Sequence, residues 1–145
     1  MIYIGIDPGR SGAIAMIYSD GDVYVMPLKE TTLINVLRAT AGLPSRCCLE
    51  KVHAMPKQGV ASTFAFGENF GYIKGVLECN GISYQEISPE RWKREFGLTS
   101  DKARSVEVCR RLFPDVSLRP TERSRVDDDN MAEALLMAEY ARRKL

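Results

Sequence analysis

The chain opens with a short apolar run, residues 2–6, that ends in Asp7-Pro8-Gly9-Arg10-Ser11-Gly12 and resumes at once as a second apolar run over 13–18. Apolar stretches this short, closed by a Pro/Gly turn, suit buried strands better than helices. Asp20-Gly21 then predicts a hairpin into residues 23–26, so the N-terminal part is expected to be a three-stranded antiparallel meander. A carboxylate that ends a buried strand emerges at the sheet edge, which gives Asp7 a defined place.

The remaining pattern alternates. Thr31 or Thr32 is expected to cap a helix reaching Arg38, and Gly42 and Pro44 stop it before a short strand, 47–50, that ends in Glu50. Residues 61–79 suit a long helix, with Phe66, Phe70, Ile73 and Leu77 at helical spacing. Gly67, Gly71 and Gly75 form a ladder there that would let another backbone approach closely. A last strand is predicted over 83–87, and Ser88-Pro89-Glu90 then supplies an N-cap, a first-position proline and a first-turn acid for a helix to Phe96. Thr99 or Ser100 is expected to cap a helix over 101–113 with Val106, Cys109, Leu112 and Phe113 as its core stripe. A surface loop over 116–126 and a final helix to about Arg143 complete an α/β pattern, a mixed five-stranded sheet flanked by helices. With 145 residues and no linker-like tract, one domain spanning 1–145 is expected to bury about 68–70% of its unfolded surface.

Acids recur at the ends of these elements. Asp7 and Glu50 each end a buried strand, and Asp129 and Glu133, four residues apart, share one face of the last helix. Glu133 interrupts an apolar run over 131–138 on the side carrying Leu136, Met137 and Tyr140, whereas Glu139, Arg142 and Arg143 mark the expected wet side. An inward carboxylate beside another acid is costly unless something positive neutralises it. A divalent cation would do so, and oxygen-only ligands suit Mg²⁺, with Mn²⁺ able to substitute. Two such ions about 3.5–4 Å apart, bridged by Asp7, would serve phosphodiester hydrolysis. Lys102, in the first turn of its helix where the dipole favours anions, would be reconciled with that position by a phosphate bound between them.

The net charge of +1 does not by itself mark a nucleic-acid binder. Residues 90–126 nevertheless carry ten Lys/Arg against six acids, a local excess suited to phosphates. The four cysteines lack CxxC spacing and the single His53 cannot complete a zinc site, so buried free thiols are expected. Neither a signal peptide nor a membrane-length apolar run is visible, which predicts a cytoplasmic protein without membrane partners; no small-molecule cofactor is expected.

Ile4-Gly5-Ile6-Asp7-Pro8-Gly9 with Ser11-Gly12 resembles the first motif of RuvC-type Holliday-junction resolvases. Leu49-Glu50-Lys51-Val52-His53-Ala54-Met55-Pro56, the segment 58–67, and Asp129-Asn130-Met131-Ala132-Glu133-Ala134-Leu135-Leu136 are similar to the resolvase-like proteins of bacteriophages. The resemblance implies a ribonuclease H-like fold, a homodimer, two Mg²⁺ ions and paired nicks in opposing strands of a four-way DNA junction, in recombination and repair. It assigns catalysis and metal binding to Asp7, Glu50, Asp129 and Glu133, and places Lys102 near the scissile phosphate with Lys93 as a second basic residue. The bacterial pattern has two aspartates three residues apart, so Asp128 and Asp129 both remain open here; Asp129 is favoured because it shares the face of Glu133. Lys51, Lys57, Lys93, Arg94 and Arg104 are the expected DNA contacts. Phe64 or Phe66 either wedges into the junction or packs in the core, and Trp92 is expected in the core or at an interface. Alternatives are a general branched-DNA or RNA–DNA hybrid nuclease of the same superfamily and a noncatalytic junction-binding protein.

Overall fold

A computed structural model describes residues 1–145, with the side chains of Glu30 and Thr31 outside the described residues. In chain order the elements are β1 (Ile2–Asp7), β2 (Ala13–Tyr18), β3 (Val23–Pro27), α1 (Glu30–Ala39), β4 (Ser45–Glu50), α2 (Val60–Cys79), β5 (Tyr84–Ile87), α3 (Pro89–Glu95), α4 (Lys102–Leu112) and α5 (Asp129–Lys144). One five-stranded sheet runs in the order β3-β2-β1-β4-β5. The expected meander forms its antiparallel half, and β4 and β5 add in parallel to β1.

Strand alternation divides the core. Ile2, Ile4 and Ile6 of β1, with Cys47 and Leu49 of β4, pack on one face beneath Leu33 and Leu37 of α1 and Ile73 and Leu77 of α2. Burying each large aliphatic side chain there contributes roughly 1.5–3 kcal/mol. The opposite face carries Tyr3, Ala13, Ala15 and Cys48 under α5. Both faces are covered, which is why β1 reads as a nearly continuous apolar run.

The close approach of α5 is set at Gly5. A Cβ there would lie 2.1 Å from the Ala134 carbonyl oxygen and 2.3 Å from the Ala138 nitrogen, so only glycine admits the helix backbone onto β1. The Gly67, Gly71 and Gly75 ladder on α2 has the opposite character. A Cβ at any of the three would meet nothing within 4 Å, so the expected close backbone approach does not occur there within this chain.

Several local expectations are corrected. Lys29 stands at the cap of α1 and Thr32 lies inside the helix; the Thr31 side chain falls outside the described residues. The chain enters α1 early because Leu28 N–H is anchored to the Gly12 carbonyl at 2.8 Å. Asp101, not Thr99 or Ser100, caps α4, its carboxylate accepting from Ala103 N–H at 3.0 Å. Of the expected α4 stripe, Cys109 is buried and Val106 and Phe113 pack against the core, but Ser105 and Val108 are buried as well and Leu112 is exposed, because the helix faces α5. Glu139 is buried, not on a wet side, and two arginines make that possible: Arg142 Nε at 2.6 Å and Arg143 Nε at 2.7 Å neutralise it. All four cysteines are free, but Cys79 is exposed while the other three are buried. Among the described residues, no helix is long and apolar enough to cross a membrane.

Candidate active site

Strand parity gathers the first two acids. Asp7 lies two residues beyond Gly5 and Glu50 two beyond Cys48, so both fall on the face of the sheet covered by α5. The parallel register pairs Ile6 with Leu49, which sets the next residues, Asp7 and Glu50, beside each other at the ends of neighbouring strands. From α5, Glu133 reaches the same place. All three line a cleft of about 330 Å³ together with Lys93, Lys102, Asn130 and Phe66.

The electrostatics of this cleft are those of acids crowded out of water. Asp7 is 8% exposed and Glu133 4%. Burial, then the neighbouring charges of Glu50 and Glu133, push the Asp7 carboxyl up to about 8, against the opposing pull of Lys102 and Lys93. Glu50 is also raised, chiefly by burial, although a hydrogen bond from the Trp92 indole works the other way. That bond runs from Trp92 Nε1 to Glu50 Oε2 at 2.8 Å. Glu133 Oε1 accepts from the Ser105 hydroxyl at 3.2 Å and stands 3.0 Å from Lys93 Nζ.

The consecutive aspartates at the start of α5 have separate tasks. Asp127 pairs with Arg110 and, at 3.8 Å, with Arg119 Nε, and so pins the preceding loop. Asp128 is the N-cap, accepting from Asn130 N–H at 2.8 Å and Met131 N–H at 3.3 Å. Asp129, favoured on sequence grounds, does not line the cleft; it is partly exposed and lies 3.7 Å from Lys102 Nζ. Asn130 lines the cleft in its place and accepts from Lys102 Nζ at 3.2 Å. At the helix start the residue turned to the cleft is the one three residues before Glu133, not four. The three-residue spacing of the bacterial pattern, counted back from Glu133, lands on Asn130 and was the available signal.

Trp92 and Ser105 were also missed as site residues, since neither an indole among charged residues of a short helix nor a helix serine marks itself as a partner of a distant acid. Of the expected DNA contacts, Lys51, Lys57, Arg94 and Arg104 are exposed, whereas Lys93 is turned inward to Glu133. Phe64 is 74% exposed and so is not a core residue. Phe66 instead forms a wall of the cleft and covers Gly9, where a Cβ would meet its ring at 3.2 Å. A larger cavity, about 550 Å³, lies across Phe66 between α2 and the start of α1. Among the described residues no carboxylate lines it, whereas the perturbed acids Asp7 and Glu50 lie in the smaller cleft, which is therefore the candidate chemical site.

The donor set fits a divalent cation: hard oxygen atoms, buried together, with a repulsion that a metal would relieve. As the side chains stand, among the described residues no three His, Cys, Asp or Glu converge into a ready-made cage. Glu50 is turned to Trp92 and Glu133 to Lys93, so cation binding requires a side-chain adjustment of Glu133 away from its lysine.

The structure is similar to that of Thermus thermophilus RuvC, with a TM-score of 0.62 at 16% identity over 99% of this chain and 96% of that one. The T. thermophilus RuvC structure in complex with Holliday junction substrate is similar to the same degree, with a TM-score of 0.62 at 14% identity over 99% of this chain and 97% of that one. No family model and no curated protein sequence matches. At this identity the likeness is one of fold: the chain has the ribonuclease H-like fold, a mixed five-stranded sheet with flanking helices.

Proposed function

We propose that the chain is a divalent-metal-dependent endonuclease that resolves four-way DNA junctions. The observation that carries this reading is the Asp7 carboxyl, buried at the end of the central strand and pushed up to about 8 by burial and by Glu50 and Glu133. Such a group is stable as an anion only beside added positive charge. Asp7, Glu50 and Glu133 would hold Mg²⁺, with the neutral amide oxygen of Asn130 taking the role first assigned to Asp129. Bound ions of this kind supply Lewis acidity for attack of water on a phosphodiester and for stabilising the leaving oxygen.

The chain's own residues then divide the rest of the work. Lys102, tethered to Asn130 at the cleft, orients the scissile phosphate, and Lys93, once released from Glu133, meets a second phosphate oxygen. Lys51, Lys57, Arg94 and Arg104 hold flanking backbone and so position the strand without reading sequence. Phe66 closes the cleft on the side of the turn after Asp7 and limits water entry. The exposed Phe64 and the open glycine edge of α2 suit a second copy of the chain, which would present two clefts for paired nicks.

Support for the junction as substrate comes from the sequence resemblance and from the Holliday junction substrate bound by the structural neighbour. The test is cleavage of labelled four-way, three-way, flap, linear duplex and RNA–DNA hybrid substrates with Mg²⁺ or EDTA. Symmetric Mg²⁺-dependent nicks confined to the four-way substrate are expected, and Asp7→Asn should bind the junction without cutting it. Equal cutting of every branch favours a general branch nuclease, and binding with no cutting at all makes the protein a junction binder.

A further inference from the structure

We propose that Trp92 is the positioning residue for Glu50, its indole N–H fixing one carboxylate oxygen so that the other is left for a divalent cation in the cleft. This rests on the metal-dependent reading above and assigns it a residue outside the acid set. Glu50 ends β4, where its flexible side chain has no neighbour further along the strand to hold it. The register pairs Glu50 with Ile87 at the end of β5, and Ser88 and Pro89 start α3 directly after it. One turn later that helix brings Trp92 back over Glu50.

Trp92 is 0% exposed and packs among the apolar residues beneath α5, and a phenylalanine would fill much of that space. The indole differs by carrying one donor and no acceptor, which must be satisfied when buried. It is spent on a carboxylate of the cleft, Oε2 at 2.8 Å, and Oε1 is the oxygen left to a ligand. Partners of this sort around metal-binding side chains commonly set affinity, and their removal costs about 10- to 100-fold. Lys93, the next residue, stands on Glu133, so a single turn of α3 touches two of the three acids.

Trp92 is the only tryptophan in the sequence, so the ¹⁵N-labelled protein has one indole resonance and reports on this contact without ambiguity. Under Mg²⁺ titration that resonance is expected to move together with backbone amides of residues 5–7 and 9–12, at one shared apparent Kd. Trp92→Phe is expected to weaken that Kd by about 10- to 100-fold while metal-free junction binding is unchanged. An indole resonance that stays still while the Asp7 amides move, or an unchanged Kd in a folded Trp92→Phe variant, overturns the inference and leaves the metal site standing. If no resonance responds to Mg²⁺, the metal site and the inference fall together. Should Trp92→Phe not fold, Glu50→Gln in the otherwise unaltered chain decides: loss of the acceptor's charge must shift the indole resonance, and an unshifted one overturns the proposal.

Discussion

Replacing Asp7 by asparagine should stabilise the metal-free protein while abolishing cleavage. Asp7 is a carboxyl whose folded-state pKa is raised from 3.8 to about 8, first by burial and then by Glu50 and Glu133. For a group shifted in that direction, the stability is fully present below the unfolded value and is lost as pH rises toward the folded one. Between about pH 4 and pH 8 the metal-free protein therefore loses about 1.4 kcal/mol per pH unit through this group, or about 4 kcal/mol by pH 7. Asparagine keeps the shape and cannot titrate, so the difference between variant and parent should grow over that range and vanish near pH 4. In a chain of this size the gain at pH 7 corresponds to a rise in Tm on the order of 10 °C. The assay is thermal unfolding of both proteins in EDTA from pH 4 to pH 8, repeated with Mg²⁺, which should narrow the gap by stabilising only the parent. A variant no more stable than the parent at pH 7 in EDTA, or a gap that does not widen with pH, would refute the claim that these acids are crowded against their own charge.

Four further outcomes follow from particular contacts. Gly5→Ala should cost at least about 3 kcal/mol, because the new Cβ must displace the α5 backbone; denaturant unfolding measures it, and a loss under about 1 kcal/mol would contradict the close approach. Asn130→Ala should slow junction cleavage by about tenfold or more, whereas Asp129→Ala should change it by less than about threefold, a comparison of single-turnover rates that separates the residue in the cleft from the one beside it. Lys102→Ala should lower the cleavage rate with Mg²⁺ affinity intact, and an unchanged rate returns that lysine to the solvent. Asp128→Ala removes the α5 N-cap and should cost about 1 kcal/mol, or about 2–4 °C in Tm, without altering metal affinity.

Much was legible in the sequence because it is local. The runs at 2–6 and 13–18 had to be buried strands, the turn at Asp7-Pro8-Gly9 had to leave a carboxylate at a strand end, and Ser88-Pro89-Glu90 had to start a helix. Parity along each strand and the motif resemblance together indicated a ribonuclease H-like sheet with acids at one edge. What failed depended on helix rotation and on side-chain pairings, near or far in the chain, that spacing does not announce. On α4 the packing against α5 buries Ser105 and Val108 and leaves Leu112 out, two arginines that follow Glu139 allow its burial, and Asn130, not Asp129, lines the cleft. Helical spacing says which residues share a face, but not which face the rest of the molecule will cover. Sequence alone therefore determined the elements and the acids they deliver. Only the tertiary structure, by laying α5 onto Gly5 and bringing Trp92 and Lys93 back across Glu50 and Glu133, decided which side chains meet, because that choice is made by close packing between segments far apart in the chain.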